Sequence, residues 1–357
     1  MQLAILTAVL AAIAAAEGGG GPVAGLSWRL LTIASATFFA PLTALVASQR
    51  LAFRLPSSAR HESDFAKVQS LVICLWLAGV AIVLFVGQWP RIVRANWQLA
   101  DWPLIDELAI LLPVIAPLFL IWAALYRFER LAQLADCAAQ NILPPRSRLL
   151  EYVGLQARHH LALVLLPPLA VVGLIEVVSK FHIASQVGLM WWFVVPQLAI
   201  VLVLMPLAVR RLWRTMPLVG QPLRQQLDDA CLSRRCSVRE ILVWQTNGTM
   251  ANAAVVGFSR WLCYILLTDV LVGYLTDKQI IAVVRHELAH LRRYHLPLRL
   301  AALLLPVAWW LALKQAFPEL EANLNMRLTQ IGFTINNPSA LVLPLGLLVY
   351  TAAVIGW

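Results

Sequence analysis

Charge is what this chain has least of. Asp, Glu, Lys and Arg together make up 13% of its 357 residues, against 61% hydrophobic ones. That balance excludes a soluble globular fold over the whole length and fits a polytopic membrane protein. Cysteine is sparse as well. Five residues without regular spacing, Cys231 and Cys236 forming no CxxC pair, exclude a disulfide framework and read as reduced or buried thiols. Long external loops are also missing, since none exceeds about 20 residues, which leaves no room for an extracellular sensor domain.

What is abundant is apolar sequence. Runs that span a bilayer, or nearly so, occur at about 3–16, 30–48, 68–87, 104–125, 160–179, 187–209, 298–317 and 339–357. The expected fold class is therefore mainly α, a polytopic membrane protein with about eight transmembrane helices. The first run is the weakest: it lacks basic residues at its start and ends in Ala14-Ala15-Ala16, so it reads as a span or as a cleaved signal. Tryptophans such as Trp89, Trp97, Trp102, Trp191 and Trp192 suit interfacial belts. Glu176, close to the end of its span and beside Lys180, is expected to be solvated or paired locally.

The net charge of +10 gains its meaning from where it sits. Loop 49–67 carries four Lys and Arg, 126–159 five and 210–297 twelve, whereas 88–103 carries two and 180–186 and 318–338 one each. Basic loops fall on every second side, so the positive-inside rule assigns 49–67, 126–159 and 210–297 to the cytoplasm. Three regions follow: a transmembrane region over 1–209 with about six spans, a cytosolic domain over 210–297, and a transmembrane hairpin over 298–357. Arg285, Arg292 and Arg293, at the edge of that domain, suit the lipid bilayer as partner and not nucleic acid.

Within 210–297 the pattern is α+β. Val238–Trp244, Ala251–Val256 and Trp261–Thr268 read as strands, with Asn247-Gly248 as a turn. Thr276-Asp277-Lys278-Gln279 is a capping box, which predicts a helix from about 277 to about 294, before Pro297. That helix carries His286-Glu287-Leu288-Ala289-His290, an HExxH box. Its histidines stand at i and i+4, one above the other, so both imidazoles can reach one metal ion. Glu287 projects about 100° round the helix from His286, where it can hold the attacking water without being a ligand. This is the chemistry of a zinc peptidase with one Zn2+. A small sheet beside such a helix suits a peptide or protein substrate, because an edge strand can take up an extended chain as a further strand.

The stretch Asn252-Ala253-Ala254-Val255-Val256-Gly257, then Tyr264–Asp269, Leu275–Gln279 and Val284–His295 resembles the HtpX-type membrane zinc endopeptidases, relatives of the type I CAAX prenyl endopeptidase. The resemblance is close over about 240–297 and general over the flanking spans. It implies a zincin-like (HExxH) metallopeptidase domain in which His286 and His290 bind zinc and Glu287 is the general base and acid. It also implies that Asn252 and Ala253 line the substrate and that His295 has an auxiliary role, beside the plainer reading of a histidine favoured by the helix C-terminus. The metzincin pattern is excluded, because Arg293 and Leu296 stand where Gly and His would be needed. The resemblance places the domain at the cytoplasmic face of a bacterial inner membrane, acting on membrane or misfolded proteins.

Catalytic zinc takes three protein groups, and the family's third is a glutamate in a Ser-Arg-x-x-Glu-type segment. Glu319 and Glu321 are the only acidic residues after the box, and the span 298–317 is expected to carry them across the membrane. The third ligand is therefore expected beyond Trp357. Two other readings remain at this stage: an HExxH-containing sensor-transducer of the antibiotic-responsive type, and a non-catalytic membrane scaffold.

Overall fold

The structure, a computed structural model, describes residues 1–16, 21–54, 61–102, 104–139, 148–180, 187–233, 238–246, 251–257, 262–292, 305, 309, 312–313, 315–317, 319–330, 346 and 348–351. It is mostly helical with one small sheet. The chain divides into two compact units, the first of residues 1–132, 168–185 and 303–357, the second of 133–167 and 186–302.

In the first unit, α1 (Gln2–Ala16), α2 (Leu26–Arg54), α3 (His61–Ala81), the short α4 (Trp89–Arg91) and most of α5 (Ile105–Ala139) are apolar helices linked by π and 3-10 turns. α2 packs along α3, and Gly79 permits the approach, because a Cβ there would lie 2.8 Å from the Ala36 carbonyl oxygen. Among the described residues three helices are long and apolar enough to cross a membrane, Leu26–Phe53, Ser63–Val86 and Ile105–Ala135, or four if the bent pair Leu149–Leu161 and Val164–Val178 of α6 (Leu149–Lys180) is one span. The expected count of about eight is not confirmed among the described residues. α1, with 15 residues, is about 22 Å long and shorter than a 30 Å hydrocarbon core. The expected spans 298–317 and 339–357 lie largely outside the described residues. Trp89 also departs from the expected belt: it is 7% exposed and its Nε1–H donates to the Ala109 carbonyl at 3.0 Å. Trp97 and Trp102 are exposed, as a belt requires.

The second unit holds α7 (Val187–Leu212), β1 (Thr215–Pro217), α8 (Gln221–Ser233), β2 (Glu240–Trp244), β3 (Ala253–Val256), β4 (Tyr264–Thr268), α9 (Asp269–Tyr274) and α10 (Asp277–Arg292). The strands form one sheet in the order β1-β2-β4-β3. β4 runs parallel to β2 and antiparallel to β3, with Ala253 opposite Leu267 and Val256 opposite Tyr264. Side chains alternate between its two faces, as a pleated sheet dictates. Ile241, Ala253, Ile265 and Leu267 share a core with Leu227 and Cys231 of α8, Leu271 of α9 and Ile280, Val284 and Leu288 of α10. The opposite set, Leu242, Trp244, Tyr264 and Leu266, packs with Val209 of α7 and with Trp213. β4 is buried along its whole length because both faces are covered. α11 (Leu320–Gln330), in the first unit, completes the described elements beyond α10.

Candidate active site

The helix that carries the HExxH box begins as its sequence dictates. The Thr276 amide donates to Gln279 Oε1 at 2.9 Å, the Thr276 hydroxyl meets the same oxygen at 2.9 Å, and the Ile280 amide donates to the Thr276 carbonyl at 3.0 Å. Gln279 thereby satisfies the N-cap amide that the first turn leaves without a partner. One stripe of α10, Ile280, Val284 and Leu288, is 1%, 0% and 0% exposed and fixes the rotation of the helix against the sheet. His286 lies two residues, about 200°, from Leu288, so it falls on the face turned from the core and is exposed. Glu287 is flanking and half-buried, and Arg285 is exposed. His290 is in the same unbroken helix one turn on from His286, which sets the i, i+4 relation by backbone geometry. His295 and the Asn247-Gly248 turn lie outside the described residues, as do the side chains of Arg292 and Arg293.

α10 packs against β3 as well as α8, and β3 is an edge of the sheet. Asn252 and Ala253 stand where this edge strand starts. The Asn252 amide donates to the Thr268 hydroxyl at 2.9 Å, and the Thr268 amide donates to the Asn252 carbonyl at 3.0 Å. Asn252 therefore faces β4, and by the alternation of an antiparallel ladder Ala253 and Val255 turn their backbone groups outward. The Ala253 amide is taken by Asn252 Oδ1 at 2.9 Å. The Ala253 side chain enters the core that α10 caps, so edge and helix are joined through one small residue. Gly257 ends the strand at φ +108°, where any Cβ would collide with the Leu262 carbonyl oxygen.

Thr268 was not singled out by the sequence, yet it ties the site together. Its hydroxyl accepts from Asn252 and also caps α9 by accepting from the Leu271 amide. Beside it, the Asp269 carboxylate accepts from the Thr246 hydroxyl and from the Val270 amide. A Thr-Asp pair opening an apolar helical turn is a capping signal that could have revealed this role. Chemically, histidines at i and i+4 of one helix with a glutamate next to the first suit a metal ion of borderline softness.

No curated protein sequence matches the chain. The chain is similar to the crystal structure of S. mikatae Ste24p at 14% identity and a TM-score of 0.46, over 92% of this chain and 83% of that one. Residues 228–352 match the model of Peptidase family M48, a stretch that contains β2, β3, β4, α9 and the whole of α10. Residues 228–352 thus resemble a Peptidase family M48 domain, in a chain with at least three described helices long and apolar enough to cross a membrane.

Proposed function

We propose that this domain is a zinc endopeptidase that cleaves membrane or misfolded proteins at the cytoplasmic face of a bacterial inner membrane. The observation that carries the reading is the HExxH helix packed beside a sheet edge whose outer backbone groups face away from β4. His286 and His290 bind the metal, and the donor set of two imidazoles fits zinc. The third protein group is not Glu319 or Glu321, which the basic-loop pattern puts across the membrane. The region 210–297 is the cytosolic peptidase domain, between a transmembrane region over 1–209 and a hairpin over 298–357.

A bound zinc ion supplies Lewis-acid polarisation of the scissile carbonyl and acidifies the attacking water. The substrate backbone adds to β3, donating to the Ala253 carbonyl and pairing with the amide and carbonyl of Val255. Glu287 takes a proton from the attacking water and returns it to the leaving amine nitrogen, so no covalent intermediate with the chain forms. His295 follows on the same stretch as an auxiliary group.

Glu287→Gln keeps the shape of the side chain and removes its basicity. In proteoliposomes it should abolish cleavage of a peptide substrate while metal analysis still finds one zinc per chain. His286→Ala and His290→Ala should lose the zinc itself. Cleavage by Glu287→Gln at the wild-type rate would refute the assignment.

A further inference from the structure

Three carboxylates converge in the first unit, apart from the peptidase helix. Asp106 and Glu107 occupy the first turn of α5, Glu176 lies on α6, and one oxygen of each is within 4.8 Å of the others. Asp106 and Glu107 are 2% and 3% exposed, a depth at which an ionised carboxylate needs opposite charge. Arg94 reaches both: its Nε–H donates to Asp106 Oδ2 at 2.7 Å and its Nη2–H to Glu107 Oε1 at 2.6 Å. A third guanidinium donor, Nη1–H, is spent on the Ala16 carbonyl at 2.8 Å. With all three carboxylates ionised, one guanidinium would leave two negative charges unbalanced.

The second observation is the other oxygen of each buried pair. Asp106 Oδ1 and Glu107 Oε2 are fully buried and have no hydrogen-bond partner among the described residues. Glu176, expected from sequence to be solvated or paired near its helix end, is paired here with the backbone. Its Oε2 accepts from the Leu104 amide at 2.8 Å. Leu104 adopts φ +63° to present that amide, a conformation unfavourable for a bulky residue. Its side chain rests on Gly173, where a Cβ would lie 3.0 Å from Leu104 Cδ2.

We propose that Asp106, Glu107 and Glu176 bind one hard divalent cation of the calcium class. A double positive charge balances the two that Arg94 leaves, and orphan carboxylate oxygens are the ligands such ions take. Three oxygens within 4.8 Å of one another leave room for one calcium-sized ion between them. Magnesium demands near-ideal octahedral geometry and keeps several of its waters, which a site of buried carboxylates accommodates poorly. Ionisable groups at a membrane boundary persist where they do such work.

The test uses the full chain in detergent, loaded with zinc beforehand so that the peptidase site is filled, and titrated with calcium chloride at neutral pH by calorimetry. One calcium per chain should bind, with a rise in melting temperature. Glu176→Gln, at a half-buried position that tolerates the change, should weaken binding about tenfold or more. Glu107→Gln should remove it, and zinc content should stay the same in both variants. Three results would overturn the proposal: no calcium binding with a melting temperature that rises on acidification, which means shared protons; binding unchanged in Glu176→Gln; or magnesium bound in preference to calcium.

Discussion

Leu288 stands inside the HExxH box but has no chemistry of its own, so its replacement separates positioning of the box from the box itself. It is 0% exposed and belongs to one core with Val284, Ile280, Leu227 and Ala253. Leu288→Ala removes three carbons, about 2.4 kcal/mol at ~0.8 kcal/mol per buried methylene. The cavity that remains between α10 and the sheet raises the cost to about 3 kcal/mol, roughly a hundredfold in the folded ratio. Because α10 carries both imidazoles, a shift of about 1 Å in its seating costs on the order of a hundredfold in rate as well. Leu288→Met keeps the volume and should cost under about 1.5 kcal/mol. The assay is urea-dependent susceptibility of the domain to limited proteolysis in detergent at fixed zinc, with peptide cleavage measured alongside. Lys278→Ala, at an exposed position of the same helix, serves as the reference. If Leu288→Ala unfolded at the same urea concentration as Lys278→Ala and cleaved as fast, the stripe Ile280-Val284-Leu288 would not be what seats the box.

The box helix could be read from sequence because two independent local signals agreed on it. The Thr276–Gln279 capping box set its start, and Pro297 marked its far end. The three predicted strands exist, each beginning two or three residues later than expected, since only paired residues extend the ladder. β1 escaped notice because Thr215-Met216-Pro217 is too short to show alternation, and its pairing with β2 comes from tertiary contact. α8 could have been found, because Pro222 stands in its first turn, a helix-start signal. The charged cluster of the first unit was beyond reach. Leu104 and Glu176, joined by a hydrogen bond, are 72 positions apart, and no local pattern links α5 to α6. Trp89 was misjudged for the same reason: interfacial and buried tryptophans are alike in sequence, and only the carbonyl of Ala109 decides between them. His290 lies on the observed helix, and His295 lies outside the described residues.

Two further perturbations probe the helix start and the sheet edge. Thr276→Ala and Gln279→Ala should each lower domain stability by about 1 kcal/mol, and together by less than the sum, because they remove one shared interaction. Thermal melts of the two single variants and the double variant check this, and full additivity would refute the shared cap. Val255→Pro addresses the edge. The Val255 amide points away from β4, so proline there deprives the sheet of no hydrogen bond and suits an edge strand, yet it removes the donor that an added substrate strand needs. Cleavage of a peptide substrate should fall about tenfold in kcat/KM, equal to a single hydrogen bond of ~1 kcal/mol or slightly more, while zinc content and melting temperature hold. Unchanged kcat/KM with an intact fold would show that substrate does not bind along β3.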